Sequence, residues 1–84
     1  MKTTTYNKNE RLTNEQIASL IGRTHSAVSR LRSGDRKPGV QTMFAVEAAF
    51  GWPAADQLQV RMLGDNAWAH KFEAVLDEYT TAPR

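Results

Sequence analysis

The stretch Thr13-Asn14-Glu15-Gln16-Ile17-Ala18-Ser19-Leu20-Ile21-Gly22-Arg23-Thr24-His25-Ser26-Ala27-Val28-Ser29-Arg30-Leu31-Arg32-Ser33-Gly34 decides the fold of this chain. It begins with a hydroxyl residue, Thr13, followed three positions later by Gln16. In that arrangement each side chain satisfies a backbone N–H at a helix start. Ile17, Ala18, Leu20 and Ile21 then supply an apolar helical face, and Gly22 is a natural left-handed stop. Thr24 is placed to cap a second helix whose inward face is Ala27, Val28 and Leu31, with Ser33-Gly34 ending it. The spacing predicts two short helices crossing through a tight turn. The small Ala18 permits close approach and Gly22 takes the positive φ, while Val28 and Leu31, six and nine residues beyond the glycine, point back into the angle between the helices.

Outward from this segment the chain remains helical, and no stretch alternates as a strand would. Asp35 to Gly39 forms a turn. A third helix is expected from Val40 to Phe50 with Val40, Met43, Val46 and Phe50 inward and Gly51 closing it. Pro53 suits the first turn of a fourth, to Leu63, with Ala55, Leu58 and Met62 on one face. A fifth, capped by Asp65, carries Trp68, Phe72, Val75, Leu76 and Tyr79. The reading is an all-α, compact helical domain with a central helix-turn-helix, a short or missing first helix and an added C-terminal helix. Residues 1–11 are expected to be a flexible basic arm or short helix, 12–79 the domain, and 80–84 a disordered tail. The Trp68–Tyr79 stripe needs cover, either within the core or from a second subunit.

Composition narrows the function. With 84 residues there is room for one small core. The absence of cysteine removes disulfides, thiolate metal sites and cysteine nucleophiles, and His25 and His70 alone are too few for a closed metal site. No cofactor or metal is expected, and no phosphate loop, serine arrangement or His-carboxylate spacing suggests an enzyme. The N-terminus has no apolar signal core and the longest apolar stretch is far short of a membrane span, so a cytoplasmic location without membrane contact is expected. Charge is lopsided. Through Lys37 there are eight basic residues against three acidic, and beyond it three against six. A basic half meets a polyanion, and an acidic half meets solvent or a partner.

The segment from Leu12 through Pro38, with Phe50-Gly51 where a leucine-glycine pair is usual, resembles the lambda-repressor-like, or Cro and XRE, family of helix-turn-helix proteins. The resemblance implies DNA binding, with the second motif helix in the major groove of a double-stranded operator. It also implies base contacts from the matching positions His25, Ser26 and Arg30. Backbone contacts fall to Thr13, Asn14, Arg23, Thr24, Ser29, Ser33, Arg36 and Lys37. Lys2, Lys8 and Arg11 form a possible minor-groove arm. Arg30 is on the face opposite Val28 and Leu31, and its fork matches guanine O6 and N7. The family often pairs a glutamate after the second-helix leucine with an arginine of the first helix. Arg32 stands there, so that pair cannot form as such. The leading reading is a phage- or prophage-type repressor. Alternatives are an antitoxin whose acidic C-terminal half binds a basic toxin, and an accessory factor in recombination or packaging. Among partners, a homodimer is one option, as in many relatives that bind two-fold sites.

Overall fold

In the computed structural model, residues 12–81 are described. They form five helices: α1 (Asn14–Ile21), α2 (His25–Ser33), α3 (Val40–Phe50), α4 (Ala54–Met62) and α5 (Ala67–Thr81). There is no strand among the described residues. The expected arm over residues 1–11, and the last three residues of the expected tail, lie outside them.

The first two helices begin and end as their caps dictate. Thr13 Oγ1 accepts from Gln16 N–H at 3.1 Å while Thr13 N–H donates to Gln16 Oε1 at 2.8 Å, which completes the reciprocal cap. Thr24 Oγ1 accepts from Ala27 N–H at 3.1 Å. Gly22 takes φ +69°, a conformation that costs an L side chain roughly 1–2 kcal/mol, and so turns the chain sharply between α1 and α2. Ile17, Ala18, Ile21, Val28 and Leu31 are buried together in the angle.

α1 packs on α2 and α3, and α5 lies across α2 and α4. The core continues through Val46, Trp52, Trp68, Phe72 and Leu76. Trp68 stacks on Trp52 with centroids 5.6 Å apart and lies 4.7 Å from the Phe72 ring. The C-terminal helix is therefore core of the single chain, supplying the cover that the stripe required.

The structure departs from the sequence reading at Val40, at the start of α5 and at its end. Val40, placed inward from sequence, is exposed, whereas Met43 and Val46 are buried as expected. On α4, Ala55, Leu58 and Met62 share one face as expected; that face is turned outward, and the fully buried residue is Gln57. Its amide donates to the carbonyls of Met43 at 2.7 Å and Trp52 at 2.8 Å and accepts from Trp68 Nε1 at 3.2 Å. A polar side chain wins the inward position because it satisfies three groups at once that would otherwise be buried without partners. Finally, α5 is not capped by Asp65. Gly64, Asp65 and Asn66 all have positive φ, forming a left-handed turn closed by Ala67 N–H to Gly64 C=O at 2.9 Å. Asp and Asn tolerate this conformation better than other side-chain-bearing residues. α5 also runs two residues past Tyr79, with Thr80 Oγ1 donating back to the carbonyls of Leu76 and Asp77.

Candidate nucleic-acid interface

α2 is two-sided. Val28 and Leu31 are buried, and His25, Ser26, Ser29, Arg30 and Ser33 are all exposed. At 3.6 residues per turn these five form one stripe on the side away from the core. Among the described residues no hydrogen bond or ion pair holds the Arg30 guanidinium, so its five donors face solvent. His25 and Ser26 occupy the first turn, where the helix would approach a surface end-on.

The turn after α2 is pinned to it. Ser33 Oγ donates to Arg30 C=O at 3.1 Å and accepts from Asp35 N–H at 3.3 Å. Arg36 N–H donates to Arg30 C=O at 3.2 Å. Gly34 has φ +89° and meets the Asn66 side chain so closely that a Cβ there would come within 2.5 Å of its Oδ1. With Pro38 buried, the exposed Arg36 and Lys37 are held beside the C-terminal end of the stripe. α3 begins at once with Gly39 as its N-cap and no side-chain cap, so its first-turn N–H groups are open to an anion. That opening was not read from sequence, although the missing Ser, Thr, Asp or Asn before Val40 is its signal.

Several residues expected at the DNA backbone also have work inside the domain. The hydroxyls of Thr13 and Thr24 are caps. Arg23 Nε donates to Thr42 Oγ1 at 3.2 Å, tying the α1–α2 turn to α3. Asn14 Oδ1 accepts from Arg32 Nη1 at 2.7 Å. Lys2, Lys8 and Arg11 lie outside the described residues.

Arg32 replaces the ion pair that its presence ruled out. Its Nε and Nη2 grip both carboxylate oxygens of Glu73 on α5, at 2.6 and 2.9 Å, and Nη1 reaches Asn14 and the Leu12 carbonyl. One guanidinium thereby joins the start of α1, the end of α2 and the middle of α5. The bidentate form makes this pair stronger than an ordinary surface bridge, although both side chains keep partial solvent contact, at 21% and 30% exposure. Discounted for that screening, Glu73→Gln is expected to cost about 1–2 kcal/mol in a urea melt, and Arg32→Ala to cost less in the Glu73→Gln background than in the wild type, the remainder coming from its Nη1 bonds to Asn14 and Leu12. Additive single effects in the double-mutant cycle would show that the two groups do not act on each other.

The helix-turn-helix family model matches residues 6–56, more than half the chain, spanning α1, α2, α3 and the start of α4. The chain belongs to the Cro/XRE-type helix-turn-helix family. It is a DNA-binding transcriptional regulator of that type, and α1 and α2 are the two helices of the motif. No curated protein and no solved structure matched the chain. Among the described residues no helix is long and apolar enough to cross a membrane.

Proposed function

We propose that this regulator is a repressor of phage or prophage type, acting in the cytoplasm of a bacterial host by occupying operator DNA and excluding polymerase. α2 enters the major groove. Arg30 donates two hydrogen bonds to a guanine, and His25 and Ser26 contact neighbouring base edges. Arg36 and Lys37 hold the flanking phosphates, with Ser29, Ser33, Arg23, Thr13, Asn14 and Thr24 at the periphery. The observation that carries this reading is the exposed stripe of α2, on which Arg30 stands without a partner among the described residues, beside the pinned basic turn. The antitoxin reading gains no such support, since Glu73, one of the acidic residues offered to a basic partner, is engaged by Arg32 within the chain.

The base-reading and phosphate-holding groups separate experimentally. Arg30→Ala leaves the fold intact and costs about 1–3 kcal/mol on the cognate site, with relaxed discrimination at one base pair and little loss on random DNA. Arg36→Ala with Lys37→Ala weakens all sequences alike and flattens the slope of log K against log salt by roughly one per lost contact. Footprinting across the host genome supplies the site, and fluorescence anisotropy on that site and a scrambled duplex measures both effects. Equal weakening on every sequence by Arg30→Ala would reduce that arginine to a phosphate contact. Sites lying away from promoters would remove the repressor assignment.

A further inference from the structure

Asn66 stands just before α5, and its carbonyl accepts the first bond of that helix, from His70 N–H at 3.0 Å, so it holds the N-cap position. Asn is among the best caps, because its side chain can accept from an N–H two or three positions on. Here the backbone takes φ +60° instead of the extended shape of a cap, and among the described residues the amide makes no hydrogen bond. Asp65, at φ +51°, shares the strained conformation. Strain held at an exposed turn points to a task that the strained shape performs.

The Asn66 amide lies against the turn that follows α2. A Cβ built on Gly34 would meet Asn66 Oδ1 at 2.5 Å, Cγ at 2.6 Å and Nδ2 at 2.9 Å, so the whole amide stands over that one residue. A small cleft lined by Gly34, Arg36, Lys37, Pro38, Asn66 and Trp68 continues the contact along the turn. Asn66 is itself anchored, since Trp68, two residues on, stacks on Trp52 in the core and donates to Gln57. Within the basic turn Pro38 is buried, while Gly34, with no side chain and φ +89°, is the residue at which the segment can hinge away from α2. The family match ends at residue 56, so the group that covers this hinge comes from outside the matched region.

We propose that Asn66 is a positioning residue for DNA binding: its amide, presented by the left-handed turn before α5, braces Gly34 and so holds Arg36 and Lys37 in place for the phosphates. The inference rests on the phosphate-holding role proposed above for that turn. Asn66 makes no contact with DNA in this account. It raises affinity by lowering the cost of ordering the turn on binding.

Asn66→Gly in the full chain tests the brace, because it removes the amide and leaves a residue that adopts positive φ freely. The variant is expected to melt at the wild-type temperature or slightly above it. Its affinity for duplex DNA is expected to fall roughly 3- to 10-fold in fluorescence anisotropy, on the cognate site and a scrambled duplex alike. The slope of log K against log salt is expected to stay that of the wild type, since the same phosphates are neutralised once the turn is bound. In the free protein, hydrogen exchange at the Arg36 amide, bonded to Arg30 C=O at 3.2 Å, is expected to quicken. In a chain already carrying Arg36→Ala and Lys37→Ala, adding Asn66→Gly is expected to cost no further affinity. Unchanged affinity or unchanged Arg36 exchange in Asn66→Gly overturns the proposal. A full-sized further loss in the double-alanine chain also overturns it, by making the amide a DNA contact in its own right, and a lowered melting temperature that accounts for the lost binding would assign Asn66 to the fold alone. If Arg36→Ala with Lys37→Ala leaves binding intact, the phosphate-holding role of the turn fails and takes the inference with it. If that pair weakens binding and Asn66→Gly does not, the inference alone fails.

Discussion

Phe72→Ala is expected to cost about 3–5 kcal/mol of unfolding free energy, because the ring is wholly inaccessible and the helices around it cannot close the space it leaves. The Phe72 ring sits on α5 with its centroid 4.7 Å from that of Trp68 and 6.0 Å from that of Phe50, the latter pair edge to face. It therefore joins α5 to α3, and Leu76 one turn on extends the contact. A domain of this length falls at the low end of the usual range of about 5–15 kcal/mol, so the loss removes most of its stability. Trp52 and Trp68, stacked near the substituted position, give a fluorescence signal for a urea titration. The melt should move to much lower denaturant, and DNA binding should fail on all sequences together, unlike the selective loss from Arg30→Ala. A cost under about 1 kcal/mol would mean that α5 is not core of the single chain and that its apolar stripe belongs to an intermolecular contact.

What could be read in advance follows from how local each signal is. The bounds of α1 and α2 were legible because Thr13 with Gln16, Gly22, Thr24 and Gly34 act within one turn of themselves. The exposed stripe of α2 was legible for the same reason, since burying Val28 and Leu31 sets the direction of Arg30. The left-handed turn at Gly64-Asp65-Asn66 was not, because an Asp before a helix is ordinarily a cap, and the place of the Asn66 side chain against Gly34, 32 residues earlier, has no local signal. The partner of Arg32 was also hidden. Glu73 lies 41 residues away, and nothing local to either residue names the other. The available hint was weak: each charge directly follows a core residue, Leu31 or Phe72, and so stands at the edge of the buried face. On helix α4 the spacing grouped Ala55, Leu58 and Met62 correctly but left open whether that face points inward, and it points outward. Periodicity reports which residues share a face, but not which face the rest of the chain covers.

That last point makes Gln57→Leu the sharpest test of the architecture. By hydropathy alone the change should stabilise, since it places an aliphatic side chain of similar size at a position with no solvent exposure. The opposite is expected. The substitution strands the Trp68 indole N–H and removes a donor from each of the Met43 and Trp52 carbonyls, all in the interior. Stranding the indole N–H costs about 1–3 kcal/mol and losing one bond at each carbonyl about 0.5–1.5 kcal/mol, against about 1–2 kcal/mol regained from the added apolar burial, for a net loss centred on about 2–3 kcal/mol. The outward residues supply the control. Met62→Gln is expected to change stability by no more than about 0.5 kcal/mol, because the side chain is already exposed. Thermal melts of the two variants beside the wild type decide the matter. If Gln57→Leu were the more stable protein and Met62→Gln the damaged one, α4 would be rotated by about half a turn from its observed orientation. The stripe Ala55, Leu58 and Met62 would then be core, and the bonds of Gln57 to Met43, Trp52 and Trp68 would not form.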